Sequence, residues 1–106
     1  QLMLDRGRVH THGAPQQLIS ASWIDRMRAP CTAAPFYGML VWLNPDGKSF
    51  PGASPQSYFM VGAGGNYVWV DPTCDAVIVV RWIDSAHFDE FARRITTALR
   101  RVGETG

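Results

Sequence analysis

The sequence predicts an α+β fold: an antiparallel sheet with a C-terminal helix packed on one face, together forming part of a larger fold. Three observations predict it. Residues 57–61, 66–71 and 76–82 are runs rich in Val, Ile, Tyr, Phe and Trp. The dividers between them, Gly62-Ala63-Gly64-Gly65 and residues 71–75, are too short to cross over a sheet, so the strands form an antiparallel meander. Phe88, Phe91, Ala92, Ile95, Ala98, Leu99 and Val102 then follow the 3–4 spacing of one apolar helix face over 85–102.

In chain order, residues 1–7 read as the last turns of a helix ending at a glycine C-cap, Gly7. Nothing in front of them caps such a helix, so the expectation is a C-terminal piece of a longer protein. Residues 8–17 read as a polar connection. His10 and His12 lie in it without Asp, Glu or Cys nearby, so they read as solvent-exposed rather than as half of a metal site.

Ser20 is a good N-cap for a short helix from Ala21 to Arg28, with Trp23, Ile24 and Met27 on one apolar face and Pro30 ending it. Residues 29–36 read as a loop and 37–43 as a strand. Residues 44–47 carry a turn signal, and 48–56 read as an exposed loop.

The run 76–80 does not alternate, which predicts burial on both faces and a covering layer on each side. The C-terminal helix supplies one layer, and little of the chain is left for the other. An apolar strand of this kind is expected to pair with an N-terminal strand of the same protein rather than stand at an open edge.

Composition limits the functions. With 106 residues the chain makes one domain at most. Its 46% hydrophobic and 18% charged residues and net charge of +1 give no general drive toward nucleic acid or anionic membranes. Arg93, Arg94, Arg100 and Arg101 read as the solvated face of an amphipathic helix, because no aromatic residues interleave with them. Cys31 and Cys74 are too few for a disulfide framework. No apolar run has the length of a membrane span.

Three glycines in four residues at 62–65 exceed the need of a hairpin. Backbone without Cβ atoms lets a ligand come close and aims free N–H groups at it. A loose hairpin with a bulge uses the same residues.

YGMLVWLN over 37–44, GAGGNYVWVDP over 62–72 and DAVIVVRW over 75–82 resemble the C-terminal part of the serine beta-lactamase-like hydrolases. The similarity is to the class C-like branch of esterases, amide hydrolases and D-alanyl-D-alanine carboxypeptidases. LMLDRG over 2–7, Leu18-Ile19-Ser20 and Trp23-Ile24 are similar to that branch as well. The resemblance covers nearly the whole chain. It implies that residues 1–106 are the C-terminal portion of a single domain: an antiparallel sheet with terminal helices on one face and a helical domain on the other.

The family's chemistry is acyl transfer through a serine. A Ser-x-x-Lys motif supplies the nucleophile, and a Tyr-x-Asn or Ser-x-Asn motif adds a proton-transfer group. Neither motif occurs in this chain, and the family's Lys-Thr-Gly or His-Thr-Gly triad is absent as written. The stretch leading into Gly62-Ala63-Gly64 stands where the triad would be, which argues against a true beta-lactamase.

The resemblance implies a backbone role for Ala63 or Gly64, whose N–H would form half of an oxyanion hole; loss of such a donor costs about 10²–10³ in rate. Tyr37, Trp42 and Asn66 are the candidates for the pocket wall. The substrate implied is a small-molecule ester, amide or peptide-like compound, with no cofactor and with the N-terminal part of the same protein as partner. Two other readings stand beside this one: a non-catalytic binding protein of the same fold, and a small α+β interaction module presenting Trp23, Trp42, Trp69 and Trp82.

Overall fold

The computed structural model describes residues 1–11 and 13–105. It is α+β, with a four-stranded antiparallel sheet and a long C-terminal helix. In chain order the strands are β1 (Arg8–Thr11), β2 (Ala14–Gln17), β3 (Trp42–Leu43), β4 (Tyr58–Gly62), β5 (Asn66–Asp71) and β6 (Ala76–Val80). The helices are α1 (Ala21–Met27) and α2 (Ser85–Thr105). Strands β1 and β2 form a separate two-stranded ribbon, and the sheet order is β3-β4-β5-β6.

The predicted meander is present. Phe59 stands opposite Trp69 and Trp69 opposite Ile78, so these three side chains share a face. On that face α2 lays down Phe88, Phe91, Ala92 and Ile95. The Phe88 ring stacks on Tyr67 at 3.9 Å and meets Phe59 and Trp69 edge-on at 6.0 and 6.5 Å. Rings arranged this way gain about 0.5–1.5 kcal/mol per pair beyond their burial. Salt bridges from Arg93 to Asp89 and Glu90, and from Arg94 to Glu90, decorate the outer side of the helix, as a solvated face predicts.

The opposite face is covered in one half. Val41, Leu43, Tyr58 and Val70 form a second cluster, closed by Met3, Leu4, Met27 and Val77. The N-terminal segment and α1 therefore supply part of a layer that the sequence left unassigned. In the other half Val79 is 63% exposed, so β6 is not buried along both faces as its unbroken apolar run predicts. No neighbouring strand pairs with its outer edge among the described residues.

Several expectations need correction. Arg8–Thr11 and Ala14–Gln17 pair as a β-ribbon and not as an irregular connection; β2 is exposed throughout, so no apolar alternation marks it. Gly13, at φ +94°, helps turn the chain between its strands. His10 is exposed, and His12 lies outside the described residues. The strand expected over 37–43 shrinks to Trp42–Leu43, because Leu40 sits at φ 60° and Gly38 presses against the Met27 carbonyl.

The loop over 48–56 is not exposed throughout, since Gly52, Ala53 and Ser54 are buried. Asn44 holds it: its Nδ2 donates to the carbonyls of Phe50, Ala53 and Ser54, and its Oδ1 accepts the Phe50 N–H. Trp69 belongs to the core at 0% exposure, with Nε1 donating to Ser57 Oγ at 2.8 Å, and so offers no surface to a partner. Helix α1 keeps its predicted cap, Ser20, whose Oγ accepts the Trp23 N–H. Of its apolar face only Ile24 is fully buried.

Candidate functional site

The hairpin between β4 and β5 closes at Gly62 opposite Asn66, leaving Ala63, Gly64 and Gly65 as the turn. Gly64 and Gly65 have φ of +92° and +83°, a region that side chains strain to adopt. Packing also demands glycine. A Cβ on Gly64 would come within 2.5 Å of the Trp82 ring, and one on Gly65 would collide with the Ile83 carbonyl. The glycine content of the turn is thus explained by the fold. Its use in chemistry has to rest on something else.

That something is the hydrogen-bond inventory. Asn66 Nδ2 donates to the Ala63 carbonyl at 2.8 Å, and Asn66 Oδ1 accepts the Trp82 N–H at 3.2 Å. The Gly65 carbonyl accepts the Ile83 N–H at 3.1 Å. These bonds fix the turn against the chain that follows β6. They consume carbonyls and the Asn66 amide, while the N–H groups of Ala63 and Gly64 take no acceptor among the described residues. Two successive free amides in a turn with a left-handed residue make a concavity suited to an anion or an oxyanion.

Beside the turn, on the face away from α2, lies an open groove of about 380 Å³. Met60, Val68 and Val79 form its floor; Gly62, Asn66 and Arg81 lie at the end next to the turn. The floor is apolar, with Arg81 its one cationic side chain.

The structure unites three of the five expected site residues. Ala63, Gly64 and Asn66 form one turn, but the Asn66 side chain is spent on holding it. Tyr37 and Trp42 lie elsewhere. Their rings meet edge-on at 4.8 Å, Phe36 stacks on Trp42 at 6.0 Å, and Trp42 pairs with Phe59. Phe59 precedes Gly62 by three residues, roughly 10 Å along a strand. No ring contact or hydrogen bond joins Tyr37 or Trp42 to the turn among the described residues.

The sequence assigns Trp82 to a partner surface and not to this turn. Trp82 sits at φ 59° and is 69% exposed, with its ring over Gly64. The signal was a tryptophan two residues past the apolar run 76–80, just beyond where that strand stops. Among the described residues no group of His, Cys, Asp and Glu is placed to hold a metal ion. Among the described residues no helix is long and apolar enough to cross a membrane. Comparison of the chain with protein-family models, with curated proteins and with solved structures finds no match.

Proposed function

We propose that this chain is the C-terminal part of a serine beta-lactamase-like hydrolase that cleaves an ester, amide or peptide bond through an acyl-enzyme. The observation that carries this reading is the pair of unoccupied amides at Ala63 and Gly64, at the end of a sheet strand and beside an open apolar groove. In the proposed reaction one of these N–H groups stabilises the oxyanion that forms on the substrate carbonyl, and the groove takes apolar parts of the substrate or of the layer bearing the nucleophile. No serine here has a lysine three residues on, so the nucleophile and its base come from the N-terminal part of the same protein.

The test is to express the chain together with its upstream coding region and to react it with a fluorophosphonate probe and p-nitrophenyl esters. The expected label falls on a serine outside residues 1–106, with turnover that the 106-residue chain alone lacks. Labelling of Ser20, Ser22, Ser49, Ser54, Ser57 or Ser85, or no labelling of the longer protein, sinks the reading.

A second reading, a small interaction module, is favoured by the exposure of Leu40 and Trp82 at 81% and 69%. A protein that is complete without an upstream Ser-x-x-Lys would support it.

A further inference from the structure

The free edge of the sheet carries a charge pattern that the hydrolase reading does not use. Strand β6 is Ala-Val-Ile-Val-Val, without a charge, glycine or proline to blunt its outer edge. Immediately before it stands Asp75, and immediately after it Arg81. Both are exposed, and neither has an ion pair among the described residues.

We propose that β6 pairs in antiparallel fashion with β6 of a second copy of this chain, with the two-fold axis at Ile78. The sequence by itself points to an upstream strand as the occupant of this edge. The strand's own pattern points to a second copy. With the axis at Ile78, Val77 faces the second copy's Val79 and Ala76 faces its Val80. Asp75, at φ 51° in the turn that opens β6, is then brought beside Arg81 of the second copy where the ladder ends, and Arg81 beside its Asp75.

Other arrangements lose this match. A parallel in-register pairing sets Asp75 against Asp75 and Arg81 against Arg81. Moving the axis to Val77 or Val79 places each charge opposite an uncharged residue. Opposite charges across an antiparallel pair stabilise it and like charges oppose it, so the register is selected by the sequence.

The pairing also has a natural stop. The other edge of the sheet, β3, is only the two residues Trp42–Leu43, too short to propagate a ladder, so two four-stranded sheets join into one of eight and end there. Val77 and Val79, with Met60 and Val68 beside them, continue the apolar face across the axis. Five residues a side bury less than the ~1,200 Å² of a standard interface, so the dimer is weak, with Kd in the micromolar range.

The experiment is sedimentation velocity on the 106-residue chain from about 1 to 300 μM, a span that brackets a micromolar Kd. A reversible monomer–dimer equilibrium is expected. Arg81→Glu, or Asp75→Lys, sets like charges opposite each other twice per dimer and raises Kd about tenfold. Combining Asp75→Lys with Arg81→Glu returns Kd to within about threefold of the original value, as a coupled pair requires. Far-UV circular dichroism of each variant establishes that the swaps leave the fold unchanged. A monomer at every concentration, an open-ended polymer, or a dimer indifferent to the swaps would overturn the proposal.

Discussion

Ser54 donates its hydroxyl to Asp71 Oδ1 at 2.8 Å, joining residues 17 apart in sequence and both buried. The same oxygen accepts the backbone N–H groups of Thr73 and Cys74, and Ser54 Oγ lies 3.0 Å from Ser57 Oγ. Ser57 in turn accepts Trp69 Nε1. One carboxylate thus pins the loop before β4, the turn after β5 and a core tryptophan. Asp71 Oδ2 is buried and has no hydrogen-bond partner among the described residues.

This arrangement predicts an asymmetry between two substitutions. Asp71→Ala removes the acceptor of three donors and should cost about 3 kcal/mol. Asp71→Asn keeps an acceptor where Oδ1 stands and relieves a buried charge, so the loss should be about 1 kcal/mol. Urea unfolding at constant m-value measures both. Equal losses would mean that the network does not hold the two segments together.

Much of this fold was legible because it rests on period and spacing. The meander over 57–82 and α2 declare themselves through apolar runs and 3–4 spacing, and Ser20 through its capping chemistry. What was not legible depends on contacts between distant residues. Asn44 looks like a turn residue but is a buried clamp on residues 50–54. Gly38, against the Met27 carbonyl, and Leu40, at φ 60°, keep the strand from starting before Trp42. At the candidate site the glycine-rich turn was visible, whereas the Trp82 ring over Gly64 was not, since Trp82 follows Gly64 by eighteen positions, across two strands and the turn between them.

The thiols should differ in reactivity. Burial pushes the Cys74 thiol up, the neighbouring Asp71 carboxylate pushes it further, and Arg100 opposes both. Cys31 is exposed. At pH 8 iodoacetamide should therefore modify Cys31 first, because only the thiolate attacks. Asp71→Asn should speed alkylation of Cys74. Peptide mapping over time gives both rates, and a Cys74 rate matching that of Cys31 would contradict this account.

Alkaline pH should destabilise the chain. Burial raises the Tyr58 phenol, against a lowering by Arg28, and Cys74 is raised as above. Folded values above unfolded ones mean that the unfolded chain releases these protons first. Their contribution is complete below the ordinary thiol value of about 8.5 and is lost as pH rises through the folded values. Urea midpoints between about pH 7 and 10 should fall on the alkaline side, and less in Cys74→Ala. A flat profile would refute the assignment.

The glycine turn gives the sharpest test, because its two positions are blocked by different things. At Gly65 a Cβ meets the Ile83 backbone, which cannot move without breaking the Ile83 N–H bond to the Gly65 carbonyl. At Gly64 it meets the edge of an exposed indole, which can swing aside. Both substitutions carry the cost of positive φ, about 1 kcal/mol. Gly65→Ala should therefore cost about 3 kcal/mol or more, and Gly64→Ala about half of that. Removing the indole with Trp82→Ala should make Gly64→Ala cheaper still and leave the cost of Gly65→Ala unchanged. Thermal melts of the three single and two double variants measure these differences. If Trp82→Ala rescued both positions alike, or neither, the ring would not be what confines Gly64.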